Sequence, residues 1–190
     1  MKRYCLGHFD MQEKWLAEGD SRRRQGDLLG ALNAYSKALD LNSKDLKCLL
    51  KIGMTYYLLG RTDDAIASYR EAMKINPAEP VLFNNLGIIY QGIEDFDNSI
   101  ELFRSAIRLN KAYVDPYTHL AEVYEEIGRP ELALSVLGEC INHCAPNQIV
   151  HYKQGLLFVG SGDFKQAEAC FRRSIELEVS QGASYYELSR

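Results

Sequence analysis

The sequence predicts an all-α fold: an α-solenoid of five helix-turn-helix repeats followed by part of a sixth helix. The main observation is a period of 34 residues along the 190-residue chain, which aligns small residues with small and aromatic with aromatic. A second observation is that each repeat has apolar residues three and four positions apart, as on one face of a helix. Such repeats bury their apolar faces against their neighbours rather than in one central core.

Each repeat contains two apolar stretches joined by a turn. In the second repeat, Leu49, Ile52 and Tyr56 mark the first helix, and Ala65 and Tyr69 mark the second. Glycine takes the left-handed conformation that ends a helix, and four repeats have it in the turn, as Gly26, Gly60, Gly128 and Gly162. The third repeat has Glu94 there instead. The sequence therefore predicts ten helices of about 14 residues in antiparallel pairs.

A small residue also recurs inside the first helices. Gly19, Gly53, Gly87 and Gly155 share one position of the repeat. Glycine within a helix costs roughly 1 kcal/mol relative to alanine. Its recurrence predicts that the two helices of a pair approach closely at this point.

These positions resemble the tetratricopeptide repeat (TPR) family, with Leu86-Gly87-Ile88-Ile89-Tyr90 and Ala65-Ile66-Ala67-Ser68-Tyr69 as the closest matches. The resemblance implies a right-handed superhelix whose first helices line a concave groove that binds peptide segments of partners. The predicted repeats are 12–45, 46–79, 80–113, 114–147 and 148–181. Residues 1–11 are predicted as an N-terminal cover, and 182–190 as a capping or truncated helix.

The composition and charge of the chain argue against several functional classes. The formal net charge of −4 gives no general attraction to nucleic acid or to an anionic membrane. The N-terminus lacks the apolar run of a secretory signal, and no stretch is long enough to span a membrane. Five cysteines without framework spacing suit a reducing compartment, so a cytoplasmic protein is expected.

Helix geometry then selects the residues expected to face the groove. The sequence predicts eleven peptide-binding residues on three successive first helices: Lys47, Lys51, Met54, Tyr57, Asn84, Asn85, Ile88, Gln91, Asp115, His119 and Glu122. The central amides can bond a peptide backbone whatever its side chains. Lysines on one side and carboxylates on the other would orient a dipolar peptide. A solvated helix face remains the alternative explanation of these charges.

Recognition of a terminal carboxylate is not expected. Some TPR domains hold one with lysine and asparagine on successive first helices, whereas the first repeat has Leu16 and Asp20 at those places. Only Asn85 resembles the asparagine with which the family grips a peptide.

Catalytic motifs are lacking, so neither an enzyme nor a cofactor is expected. One cluster has metal-ligating residue types, Cys140, His143, Cys144 and His151, but Cys140 occupies a packing position that is alanine in other repeats. The expected function is a non-catalytic interaction module, an adaptor or scaffold. Two alternatives remain: a regulatory or docking arm of a larger enzyme such as a glycosyl- or methyltransferase, and a scaffold that associates with itself through its C-terminal end.

Overall fold

The computed structural model describes the backbone of residues 2–188 and the side chains of residues 10–179. This part of the chain contains ten α-helices and no β-strand, which confirms the predicted all-α repeat fold. The helices are α1 (Lys2–Arg24), α2 (Leu28–Leu41), α3 (Leu46–Leu58), α4 (Thr62–Ile75), α5 (Pro80–Gly92), α6 (Phe96–Leu109), α7 (Val114–Glu126), α8 (Pro130–His143), α9 (Gln148–Gly160) and α10 (Phe164–Leu188).

The chain divides into two compact units, Met1–Ile89 and Tyr90–Arg190. In the N-terminal unit, α1 packs on α2, α2 on α3, and α3 on α4. Its core combines buried side chains from the first three helices: Leu16, Ala31, Leu32, Tyr35, Ala38, Cys48 and Ile52. The first repeat therefore packs its two helices against each other and against the first helix of the next repeat, as a solenoid requires.

The C-terminal unit follows the same plan. Here α6 packs on α7, α7 on α8, α8 on α9, and α9 on α10. Its most buried large side chains again come from several helices: Phe103, Tyr117, Leu120, Val123, Val136, Leu137 and Val150.

Glycine ends the first helix in four of the repeats. Gly26, Gly60, Gly128 and Gly162 have φ between 71° and 82°. After each one, the next amide reaches back to a carbonyl five residues earlier; for example, Arg61 N–H donates to Tyr56 O at 2.9 Å. This is the Schellman arrangement, which satisfies carbonyls left free at the helix end.

The turn of the third repeat has the same geometry without glycine. Glu94 has φ of 61° and is the only non-glycine residue with positive φ in the described part of the chain. The Asp95 amide donates to Tyr90 O at 2.9 Å, as in the glycine turns. Asp95 then caps α6 by accepting from the Asn98 amide.

The close approach of paired helices is visible at the recurring glycine position. A Cβ added at Gly53 would lie 2.8 Å from the Tyr69 ring, and one added at Gly155 would lie 2.5 Å from the Phe171 ring. An added Cβ at Gly19 would also overlap the Tyr35 ring. The aromatic ring of the second helix thus occupies the space that a larger residue would need.

The two predicted end segments lie within continuous helices. Residues 2–11 are helical and run without a break into the rest of α1. A sixth first helix was expected to begin at Gly182, but residues up to Leu188 continue α10 without a turn. The side chains of residues 1–9 and 180–190, and the backbone of Met1, Ser189 and Arg190, lie outside the described part. The cover and capping roles therefore remain predictions.

Candidate functional site

The N-terminal unit has a shallow depression formed by its three first helices. It has a volume of about 300 Å³ and is lined by Arg23, Leu50, Lys51, Met54 and Asn85. Arg23 comes from α1, Leu50, Lys51 and Met54 from α3, and Asn85 from α5. Three of the predicted groove residues, Lys51, Met54 and Asn85, therefore lie around one depression.

An ionic network lies beside this depression. Lys51 Nζ is 2.6 Å from Asp20 Oδ1, and the Tyr35 hydroxyl donates to the same oxygen at 2.7 Å. Burial alone would raise the pKa of Asp20, but the hydrogen bonds from Lys51 and Tyr35 outweigh it and the pKa is lowered. Burial and the Asp20 carboxylate raise the pKa of Tyr35 to about 12. Lys51 thus has a carboxylate partner within the chain, which reduces its contribution to a positive groove end.

Asn85 and Asn84 differ sharply in their exposure. Asn85 is half-buried and lies near the fully buried Tyr69, whose hydroxyl makes no hydrogen bond of normal geometry. Burial raises the pKa of Tyr69, and the neighbouring Asn85 amide opposes this shift. Asn84 is only 3% exposed. It cannot offer its amide to a groove ligand, which corrects the prediction made for it.

The remaining predicted residues of this unit lie on the surface of α3 and α5. Lys47 is exposed, whereas Tyr57 and Ile88 are half-buried. None of the three lines the depression, so their part in a groove remains a prediction.

Carboxylates dominate the equivalent face of the C-terminal unit, but several have partners. Lys153 Nζ is 2.6 Å from Glu122 Oε1, and the Gln91 amide donates to Glu126 at 2.7 Å. Burial raises the pKa of Glu125, with Lys153 opposing the shift and Glu122 adding to it. The predicted negative charge is therefore partly neutralised within this unit.

His119 and Asp115 complete the predicted set. The His119 ring lies 5.4 Å from the Phe103 ring, measured between centroids. Burial lowers the pKa of His119 although Glu122 and Asp115 oppose this, so the fold favours its neutral form. Asp115 is exposed at the start of α7. His119 thus packs against its own unit, and Asp115 remains available at the surface.

The two ammonium–carboxylate pairs occupy the same position of different repeats. Asp20 and Glu122 are three periods apart, as are Lys51 and Lys153. In each pair, the carboxylate of one first helix meets the lysine of the next first helix, 31 residues later. An alignment of the repeats would have predicted both pairs. The helical face of a single repeat does not, because each pair joins two successive repeats.

Of the cysteine–histidine cluster, only Cys140 is buried; His143 is exposed, and Cys144 and His151 are half-buried. Cys140 is 1% exposed, and burial raises the pKa of its thiol to about 12. The Cys144 thiol donates to the Lys111 carbonyl at 3.4 Å. Among the described side chains, no group of three or more histidine, cysteine or acidic residues could hold a metal ion.

In the part of the chain that the structure describes, no helix is both long enough and apolar enough to cross a lipid bilayer.

Comparison with family models identifies the repeats. A model described as "TPR repeat" matches residues 53–93. A second, described as "Tetratricopeptide repeat", matches residues 81–113 and 150–178. A search of curated proteins found no match.

Solved structures of similar fold support the same assignment. A crystal structure of MamA is 28% identical, with a TM-score of 0.68, covering 87% of this chain and 96% of that chain. A thermophilic TPR protein of Thermus thermophilus is 18% identical, with a TM-score of 0.70 and coverage of 87% and 90%. PilF of Pseudomonas aeruginosa is 13% identical, with a TM-score of 0.76 and coverage of 90% and 78%. The last two similarities concern the fold alone.

Proposed function

The chain belongs to the tetratricopeptide repeat family, and from this premise we propose that it is a non-catalytic adaptor that binds a peptide segment of a partner protein. Repeats of this family generally mediate protein–protein interactions. The observation that carries the proposal is the depression lined by Arg23, Leu50, Lys51, Met54 and Asn85.

The chemistry of this lining suits an extended peptide. Leu50 and Met54 offer an apolar surface to one side chain, and the methionine adapts readily to different shapes. The Asn85 amide can both donate to and accept from a peptide backbone. Arg23 and Lys51 add positive charge, of which Asp20 neutralises a part. The preferred ligand is a segment with an apolar side chain beside an acidic residue.

A charge change inside the depression tests this proposal. The groove variant Met54→Lys with Arg23→Glu replaces an apolar contact and reverses one charge. The control Leu58→Lys with Arg70→Glu makes the same chemical changes at exposed positions of α3 and α4 that do not line the depression. Both variants should retain the helical content of the wild type by circular dichroism.

Affinity capture followed by quantitative mass spectrometry then compares the three proteins. We expect a set of proteins retained by wild type and control but lost by the groove variant. The peptide mapped from such a partner should bind the groove variant at least tenfold more weakly, which corresponds to about 1.4 kcal/mol. Equal retention by both variants would show that the depression is not the binding surface.

A further inference from the structure

Helix α9 exposes an apolar stripe that no other first helix has among the described side chains. Ile149, Tyr152, Leu156 and Val159 are 51%, 51%, 47% and 44% exposed, respectively. Their spacings of three, four and three residues place them on one face of the helix. The Tyr152 ring is held in place by Phe171 of α10, with 5.8 Å between ring centroids. We call these four residues the α9 stripe.

The equivalent positions in the earlier repeats are polar, buried or half-buried. The position of Tyr152 is held by Leu16, Asn84 and Thr118 in three other repeats, which are 2%, 3% and 8% exposed, and by the half-buried Leu50 in the second repeat. The position of Leu156 is held by carboxylates in the first and fourth repeats and by the half-buried Met54 and Ile88 in the second and third. An exposed stripe made entirely of apolar residues is therefore particular to the fifth repeat.

In earlier repeats, the same face of the first helix packs against the first helix of the next repeat. Leu16 of α1 belongs to the same buried cluster as Cys48 and Ile52 of α3. The ion pairs Asp20–Lys51 and Glu122–Lys153 likewise join this face of one first helix to the next. The α9 stripe thus has the place and spacing of a helix-packing surface.

We propose that a second copy of this chain covers the α9 stripe, with the two α9 helices packed antiparallel about a two-fold axis. The stripe is symmetric in spacing about residue 154, so reversing it reproduces the same pattern. In that arrangement Ile149 lies opposite Val159 of the second copy, and Tyr152 opposite Leu156. A two-fold interface requires such self-complementarity.

The charges beside the stripe and on the exposed face of α1 favour a two-fold dimer over head-to-tail stacking of copies. Lys153, beside the stripe, is already paired with Glu122, so the stripe does not require a charged partner. The face of α1 that would meet it head-to-tail presents Lys14, Ala17 and Arg24, all exposed. Burying those charges against an apolar stripe would be costly.

The area of this surface determines how tightly two copies are expected to bind each other. Ile175 of α10 is 59% exposed and lies one helical turn after Phe171, which contacts Tyr152, so α10 extends the surface. The five side chains together would bury roughly 500 Å² per copy, below the ~800 Å² per partner of a standard stable interface. A reversible dimer in the micromolar range is therefore expected.

Sedimentation velocity over a concentration series tests the dimer with the full chain. We expect wild type to shift from monomer to dimer up to about 200 μM, a range suited to a small interface. Leu156→Glu should weaken the dimer at least tenfold. The control Leu132→Glu, at a residue of α8 that is 45% exposed and lies outside the stripe, should dimerise like wild type.

A mixing experiment tests the two-fold geometry. Tyr152→Lys and Leu156→Glu should each be mainly monomeric alone, but together they should form a heterodimer that brings lysine and glutamate into contact. Circular dichroism confirms that each variant is folded. A wild type that stays monomeric throughout, a Leu132→Glu variant as weak as Leu156→Glu, or a mixture without heterodimer would each overturn the proposal.

Discussion

At Glu94 a residue with a side chain occupies a backbone conformation that the other described turns give to glycine. Its φ of 61° costs an L-residue about 1–2 kcal/mol. We expect Glu94→Gly to raise the free energy of unfolding by about 0.5–1 kcal/mol, since the greater freedom of glycine in the unfolded chain offsets part of the gain. Urea denaturation followed by circular dichroism measures this change.

The control for this prediction is Glu94→Ala, which removes the carboxylate but keeps a Cβ at positive φ. It should give no stabilisation. If alanine stabilised the protein as much as glycine, the charge of Glu94 rather than its backbone strain would be the cause.

Single residues also show how far the sequence could predict the site. The left-handed turns followed from glycine chemistry, and the positions of Lys51, Met54 and Asn85 around one depression followed from the repeat register. The burial of Asn84 did not, because a face that is open on an isolated helix can be covered in the folded chain. Leu16, at the same repeat position, shows the effect directly, since it is buried with Cys48 and Ile52 of α3.

At the scale of the helix, glycine has two different roles that substitution by alanine separates. A Cβ at Gly53 would meet the fully buried Tyr69 ring, whereas Gly138 has no atom within 4 Å of an added Cβ. We expect Gly53→Ala to lower the free energy of unfolding by about 1–3 kcal/mol through overpacking. Gly138→Ala should raise it by about 0.5–1 kcal/mol, because alanine is the better helix former.

The free energy of unfolding of Gly155→Ala should lie between those of Gly53→Ala and Gly138→Ala. Its added Cβ would also overlap an aromatic ring, but Phe171 is only half-buried and can move toward solvent. Thermal and urea unfolding of the three variants provides the ranking. A Gly53→Ala variant as stable as wild type would show that the pair of helices is not closely packed at this point.

The helix boundaries show where the repeat pattern predicts the structure and where it does not. Inside the chain, turn glycines and aspartate caps fixed the ends of the helices, as at Gly60 and at Asp95 before α6. At position 182 the register alone suggested a new helix, but α10 continues to Leu188. A glycine without a following cap or proline does not stop a helix, so periodicity over-predicted a turn there.

At the scale of the whole molecule, repeat architecture makes stability a sum of local terms. Each repeat of a solenoid contacts only its neighbours, so a defect is not shared through one central core. The described chain agrees with this, since its buried residues are spread along α1 to α10 and the chain divides into two compact units. We therefore expect that the proposed binding surface in one unit and the proposed association surface in the other can be altered separately.

Hydrogen exchange tests this independence in the intact chain. We expect Gly53→Ala to accelerate amide exchange in α3 and α4 by about tenfold or more, because the lost packing free energy lowers the cost of local opening. Exchange in α9 and α10 should stay near that of wild type. Gly155→Ala should give the reverse pattern, affecting α9 and α10 and leaving α1 to α4 unchanged, and so serves as the matched control. Equal acceleration along the whole chain in either variant would mean that the repeats unfold as one cooperative unit, since a purely local defect raises the exchange of its own neighbours first.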